Sequence, residues 1–465
     1  MSTPSDLWTL SAFVTDLTHD PDRWLAAGIT AAAWGTLSLI TAVGPKLWRR
    51  QVRPIADPIA KVDGWLVVHA SQTGQAEQQA ARTAEALKQA GYPVTLLPLG
   101  QLDLDTLTST SRLLVIASTT GDGEAPDAAR PFVRKVMRET PNLDGLRYAV
   151  LGLGDRHYSA FCAFAQEVDT WLSKRGAKPL WPRVSVDKLA DADLALWSDQ
   201  LRTLGADSST PVDPTETFSN WTLAARERLN PQSSAAPIAH ITLRPTGALP
   251  DWQAGDLAEV KTPSGAIRAY SLASLPASGQ VELIVRLASD AHGQPGQGSG
   301  LLHHGLLLGQ TVPLRIRAHT GFHTPPGSAP LLLIGAGSGL AGLRAHVLAR
   351  AARGDRRNWL VFGERHPETD RLLQNDLLAW QQDGTLERLD LVHSRPPEGG
   401  TGQYVQDRLL EIAGDLRDFL GFEGQVLVCG GLPMGQGVDV SLRQILGDEW
   451  IEAALEDGRY RRDLY

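Results

Sequence analysis

The sequence predicts an α/β protein of three soluble units: a doubly wound parallel sheet, an antiparallel β unit and a second parallel α/β unit. A single N-terminal transmembrane helix precedes them. Three observations carry this reading. Between residues 63 and 205 an apolar strand, a polar loop and a helix-forming stretch recur in turn, the alternation that builds a parallel sheet. From Phe218 short apolar runs lie between Pro and Gly turns, an antiparallel pattern, and after residue 327 the strand, Gly-rich turn and helix return. Ahead of all this, Trp24 to Pro45 carries no charged residue.

Bulk composition bounds the function. A chain of 465 residues exceeds one ordinary core, and 42% hydrophobic with 21% charged residues describes a globular protein. A net charge of -8 argues against a general nucleic-acid binder, which needs cations to neutralise phosphates. The two cysteines, Cys162 and Cys429, lie far apart without metal-ligand spacing. That excludes a disulfide framework and a zinc site, and it suits a reducing compartment.

The elements follow in order. Residues 1–23 precede the apolar run and carry Asp6, Asp16, Asp20 and Asp22 against Arg23. Residues 24–45 are long enough to span a hydrocarbon layer of roughly 30 Å as a helix. Trp24 and Trp48 flank the run, and Lys46, Arg49, Arg50 and Arg53 follow it. The positive-inside rule then puts everything beyond residue 45 in the cytoplasm, under the inner (plasma) membrane. Residues 46–62 are a Pro-punctuated spacer.

In the first unit, residues 63–205, Trp65 to Ala70 read as a strand and Ala76 to a Gly91 stop as a helix. Ser71, Gln72, Thr73, Gly74 and Gln75 fill the turn between them. Hydroxyls and backbone N–H groups there face any anion at the helix N-terminus. No Lys follows the glycine, so this is not a nucleoside-triphosphate loop. Two further strands, Leu113 to Ala117 and Tyr148 to Leu153, end in the loops "STTGDGEAPD" and "GDRHYSAF". Parallel strands deliver all three loops to one carboxyl edge, where doubly wound sheets bind ligands. A helix around Asp191 to Leu204 closes the unit, and residues 206–217 are a linker.

In the second unit, residues 218–326, Ile267 to Ser274 ("IRAYSLAS") and "VELIVRL" read as consecutive strands, followed by the turn "GQGSGLL". In the third, residues 327–465, "LLLIGAGSGLAGL" is a strand, a Gly-rich turn and a helix. "VHSRP" and "VLVCGG" are further strand ends, and the chain closes on "RYRRDLY".

These motifs, in this order over roughly residues 63 to 465, resemble the NADPH-dependent diflavin reductases, a flavodoxin module fused to a ferredoxin-NADP reductase module. The family includes reductases of haem monooxygenases and the flavoprotein subunit of sulfite reductase. The resemblance implies a flavodoxin-like α/β domain binding FMN, an antiparallel β-barrel binding FAD and an α/β domain binding NADP. For FMN it implies a phosphate site at Ser71 to Gln75. Ser118, Thr119, Thr120, Gly121 and Gly123 pass beside the ring, with Leu153, Gly154 and Asp155 in the third loop and Tyr158 stacked on the flavin. For FAD it implies Arg268 on the pyrophosphate, Ala269 and Tyr270 against the flavin, and Ser271 near its N5. Gly296, Gly298 and Ser299 meet the diphosphate. For NADPH it implies Gly335, Gly337, Ser338 and Gly339 in the turn and Arg365 at the next strand end. Ser394, Arg395, Tyr404 and Gln406 lie around a 2′-phosphate, although the usual Lys two residues before the Tyr is Gly402.

The resemblance also implies the reacting centre. Cys429 stands beside the nicotinamide, with Ser271 and Asp463 near it, and the terminal Tyr465 lies over the FAD ring as a gate. Two electrons from NADPH would leave singly toward a one-electron acceptor, expected as a haemoprotein at or in the membrane. Acidic residues Asp122, Glu124, Asp127 and Asp155 offer it a docking rim. The alternatives are a sulfite reductase flavoprotein or a ferric-chelate reducing chain, and, in another class, a slow redox-sensing module. Larger members insert a helical connecting domain before the R-x-Y-S string. Here only a few residues separate "GDLAEV" from "RAYS".

Overall fold

The computed structural model describes residues 64–71, 74–119, 123–157, 159–207, 217–290, 292–396 and 400–465. The apolar segment 24–45, the linker residues 208–216 and Gln72, Thr73, Thr120, Gly121, Asp122 and Tyr158 lie outside the described residues. Among the described residues no helix is long and apolar enough to cross a membrane.

The first sheet contains β1 (Trp65–Ala70), β2 (Val94–Pro98), β3 (Arg112–Ser118), β4 (Arg147–Gly154), β5 (Lys178–Pro179) and β6 (Val184–Asp187). All pair in parallel in the order β2-β1-β3-β4, with β5 and β6 both on β4. Central strands covered on both faces need continuous apolar runs, and Leu66 to Val68 and Leu113 to Ala117 are fully buried. Helix Gln75–Gln89 packs Ala76, Ala80, Ala84 and Leu87 onto one face, while helix Ala163–Lys174 covers the other with Phe164, Val168 and Leu172. The order in which successive strands are added reverses between β1 and β3, so the loops after these strands flank a crevice at the carboxyl edge.

The second sheet is antiparallel: β7 (Ser219–Arg228), β8 (Ile238–Pro245), β9 (Leu257–Lys261), β10 (Ile267–Ser271), β11 (Val281–Arg286) and β12 (Thr311–Arg317), in the order β10-β9-β12-β7-β8-β11. Just beyond β10, the Ala273 N–H donates to the Glu282 carbonyl of β11 at 2.8 Å, bringing the two ends of the path together. Trp221, Leu223, Ile241, Leu283 and Leu314 fill its core. The β9–β10 hairpin is closed by residues 262–266 alone, so no insertion interrupts it.

The third sheet is parallel, β13 (Leu331–Ala336), β14 (Asn358–Glu364), β15 (Arg388–His393), β16 (Gln425–Gly430) and β17 (Tyr460–Leu464), in the order β15-β14-β13-β16-β17. Its reversal falls between β13 and β16. The last residues of the chain are therefore the edge strand β17. Its register on β16 sets Cys429 opposite Asp463 and Gly430 opposite Leu464. The terminus is held by tertiary pairing, unlike the frayed end of an ordinary domain.

Candidate active site

Three elements converge where the second and third sheets meet. Ser271, the last residue of β10, donates its hydroxyl to Asp463 Oδ2 at 2.9 Å. Cys429 Sγ lies 3.8 Å from the same oxygen. Cys429 is fully buried and Asp463 nearly so. Burial, reinforced by the Asp463 charge, holds the Cys429 thiol well above its ordinary pKa, so the sulfur carries its proton. The Gly342 Cα completes the enclosure: a Cβ there would stand 3.2 Å from Cys429 Sγ and 3.6 Å from Ser271 Cβ.

The terminal Tyr465 is tied on both sides. Its N–H donates to the Gly430 carbonyl at 3.1 Å, and its own carbonyl accepts from Leu432 N–H at 3.2 Å. Its hydroxyl sits 3.0 Å from Ser338 Oγ in the Gly-rich turn. The residue as a whole, its terminal main chain included, is 60% exposed. Thus two residues read separately in the sequence, one in the turn and one at the terminus, are bonded to each other.

On the β10 side, Arg268, Tyr270 and Gly298 form a cradle. A Cβ on Gly298 would stand 2.5 Å from Tyr270 Oη and 2.7 Å from Arg268 Cγ, so only glycine lets the short helix Gln297–Gly300 approach this closely. Ser299 Oγ accepts from Ala288 N–H at 3.1 Å and lies 3.5 Å from the Gly296 carbonyl, which fixes the turn. Arg268 is exposed, and its Nη1 donates to the Ile267 carbonyl at 2.9 Å. Ala269 beside it is exposed as well.

At the carboxyl edge of the third sheet, Gly335, Gly337 and Gly339 give the turn its closeness. Gly337 has φ +59°, and a Cβ on Gly339 would meet the Cys429 carbonyl at 2.1 Å. Ser394 and Arg395 follow β15, where their N–H groups donate to the carbonyls of Glu364 and Arg365 at 2.9 and 2.7 Å. Tyr404 is exposed at the start of helix Val405–Glu411, with Gln406 in its first turn against Gly437. Gly402 lies so close to the Ser394 carbonyl that a Cβ there would be 2.3 Å away.

At the carboxyl edge of the first sheet, Ser71 Oγ accepts from Ala76 N–H at 3.2 Å, and Gly74 turns the chain into the helix with φ +80°. Thr119 N–H donates to the Leu153 carbonyl at 3.1 Å, which locks the second loop to the third. Ser118 Oγ and Thr119 Oγ1 are buried without a hydrogen-bond partner. Asp155 is engaged within its own turn, accepting from His157 N–H at 2.8 Å and lying 3.3 Å from Lys188 Nζ.

Residues 67–197 match the Flavodoxin family and residues 333–439 the Oxidoreductase NAD-binding domain family. Over 95% of its length the chain is 26% identical to the sulfite reductase [NADPH] flavoprotein alpha-component of Neisseria meningitidis serogroup B, covering 94% of that protein. The protein of the same name from Thiocapsa roseopersicina is 28% identical over 84% of each chain, and that of Bacillus subtilis 24% identical over 98% of this chain and 97% of its own. The chain belongs to the diflavin reductases. FMN is the cofactor of its flavodoxin module, and FAD and NADPH are those of the oxidoreductase module. The alignment with the Neisseria protein runs over 583 positions, more than this reductase has residues, so that relative carries segments this chain lacks.

The residues present fit these groups. Unpartnered buried hydroxyls are costly and call for a polar ligand, and Ser118 and Thr119 sit at the β1/β3 crevice where a flavin edge would meet them. The Arg268, Tyr270 and Gly298 cradle offers a guanidinium and a ring on a backbone open to close approach.

Sequence reasoning passed over two residues of the reductase. Arg286, at the end of β11, reaches the Gly-rich turn, where a Cβ on Gly337 would overlap its guanidinium. Glu364, at the end of β14, has a buried Oε1 without a partner, and burial pushes its pKa up to about 8 against the opposing Arg286 charge. No local motif announces either. The only signal was a charged residue at the last position of an apolar strand.

Proposed function

We propose that this reductase serves an acceptor of the sulfite reductase haemoprotein class, drawing on NADPH. Bound flavins supply the conversion of two-electron delivery into one-electron delivery. One observation carries the oxidoreductase reading: Ser271, Cys429 and Asp463, from two sheets, meet around one carboxylate oxygen. In this reading Asp463 holds the Ser271 hydroxyl in place and steadies positive charge near Cys429. Gly342 keeps the pocket open for a flat ring. Tyr465, anchored through Ser338, shields the flavin face and swings out when nicotinamide enters. Arg268 and Ser299 bind the FAD diphosphate. Ser394, Arg395, Tyr404 and Gln406 bind the adenosine end, and Ser71 to Gln75 the FMN phosphate.

The acceptor class is supported by the name the relatives share, and a membrane haemoprotein at the 24–45 segment is the second reading, favoured by that segment's length and its flanking charges. The experiment is a flavin count on the purified full chain, followed by NADPH-driven reduction of a sulfite reductase haemoprotein, a c-type cytochrome and ferric chelates. One FMN and one FAD with preferred turnover of the sulfite reductase haemoprotein is expected. FAD without FMN, or preference for another acceptor, overturns it. Sedimentation of the full chain with membranes tests the anchor.

A further inference from the structure

Strand β17 has two faces with two different jobs. Side chains alternate along a strand, so Arg461 and Asp463 point one way and Arg462 and Leu464 the other. On the first face Asp463 meets Ser271 and Cys429, and Arg461 Nη1 donates to the His323 carbonyl at 2.8 Å. On the second face Arg462 reaches out of the oxidoreductase module into the flavodoxin module. Its Nε donates to Asp127 Oδ2 at 2.9 Å, its Nη2 to Asp127 Oδ1, and its Nη1 lies 3.4 Å from Asp439 Oδ1.

Planar two-point contact of this kind fixes geometry as well as charge. Both side chains are mostly shielded, with 14% and 16% exposure, so solvent screens the pair less than a surface bridge. The rest of the module contact is more exposed. Arg134 Nη1 lies 2.8 Å from Glu452 Oε2 and Lys135 Nζ 2.9 Å from Glu456 Oε2, with Lys135 at 63% exposure. Exposed bridges of this kind contribute little, because solvent screens them. Of these ion pairs between the modules Arg462–Asp127 is the most shielded, and it is made by the residue next to Asp463.

We infer that Asp127 and Arg462 are positioning residues through which docking of the flavodoxin module seats the C-terminal strand, and with it Asp463 and Tyr465. β17 is an edge strand with β16 as its only pairing neighbour among the described residues, so a second anchor on its outer face decides how firmly it is held. Coupling of this kind is reciprocal. A seated strand favours the docked flavodoxin module, and a docked module favours an Asp463 held against Ser271. The catalytic consequence rests on the function proposed above; the mechanical coupling does not.

Hydrogen exchange on the flavin-loaded full chain, without nicotinamide, tests it. Asp127→Asn keeps the shape and removes the charge. It should raise exchange of the 459–465 segment by about 5-fold, the low end of usual site-to-site coupling, while Lys135→Gln at the same interface should not. Asp127→Glu, which restores the charge, should recover part of the protection. Equal exchange at 459–465 in Asp127→Asn and the unmodified chain, or equal effects of Asp127→Asn and Lys135→Gln, overturns the inference. In rapid mixing with NADPH, flavin bleaching in Asp127→Asn should slow by a similar factor and leave Lys135→Gln unaffected. If the unmodified chain does not bleach, the proposed function fails while the exchange result stands by itself.

Discussion

Ser271 donates its hydroxyl to Asp463 Oδ2 at 2.9 Å across 192 residues of sequence, and Cys429 approaches the same oxygen. One carboxylate oxygen therefore organises both partners. Asparagine in its place presents either a carbonyl or an amide to that pocket, and it removes the charge. Asp463→Asn should slow NADPH-driven flavin reduction on the order of 100-fold, the scale of one positioned polar or proton-handling group. Neither flavin cradle includes Asp463, so absorbance should show unchanged flavin content. Stopped-flow bleaching at saturating NADPH is the measurement.

Tyr465 is bonded to the Gly-rich turn through Ser338, at the open end of the edge strand β17. A side chain held by one hydroxyl contact is suited to leave and return. Removing Tyr465 takes away a competitor that NADPH displaces by its larger binding energy, so NADH should gain more. The ratio of kcat/KM for NADPH over NADH should fall by about 10-fold, equal to about 1.4 kcal/mol. Steady-state rates with both nucleotides decide it.

Ser118 Oγ and Thr119 Oγ1 are buried and unpartnered. A hydroxyl in that condition costs free energy until a ligand satisfies it. Thr119→Val, which keeps the volume, should therefore leave the flavin-free protein as stable or raise its melting temperature. The same change should weaken FMN binding by roughly 10-fold, one hydrogen bond's worth. Flavin fluorescence titration and thermal melting of the stripped protein separate the two signs.

Much of this architecture was legible in the chain. The first strand occupies Trp65–Ala70 as read, because a parallel strand buried on both faces leaves an uninterrupted apolar run. Ser271, Cys429 and Asp463 were legible through resemblance, because the R-x-Y-S string, the Cys-Gly strand end and the terminal residues match the family's motifs. The structure adds that one oxygen of Asp463 meets both Ser271 and Cys429. The Arg462–Asp127 pair was not legible: Asp127 read as one member of an acidic docking rim for the acceptor, whereas it is shielded and engaged by Arg462 of another module. Arg286 and Glu364 escaped for the same reason: their role depends on which sheet edges face each other, and no spacing along the chain encodes that.

Gly402 stands where the family's usual lysine would meet a 2′-phosphate, which suggests Gly402→Lys as a gain of affinity. The backbone opposes it. A Cβ at this position would lie 2.3 Å from the Ser394 carbonyl, a contact with main chain that cannot swing aside. Gly402→Lys should cost about 1–3 kcal/mol of stability through overpacking and displace Ser394. KM for NADPH should rise or stay level, with a lowered melting temperature. A fall in KM would show that the 400–404 stretch relaxes to admit the side chain.

Glu364 sets a pH dependence with a definite sign. Burial raises its carboxyl from 4.5 to about 8, with Asp370 adding to the rise and Arg286 and Arg365 opposing it. Below pH 4.5 folded and unfolded chains both hold the proton, and this group contributes nothing to stability. Between pH 4.5 and 8 the unfolded chain releases the proton while the folded one keeps it. The unfolded state then binds fewer protons, and stability falls as pH rises through that window before levelling above 8. Glu364→Gln preserves the shape without ionising. It should be near neutral at pH 5 and stabilising at pH 8.5 by at least about 1.4 kcal/mol, the worth of one pKa unit. Calorimetric melting of both proteins at the two pH values is the check. A Glu364→Gln gain of equal size at pH 5 and 8.5 would mean that relief of the orphaned oxygen, and not ionisation, governs this site.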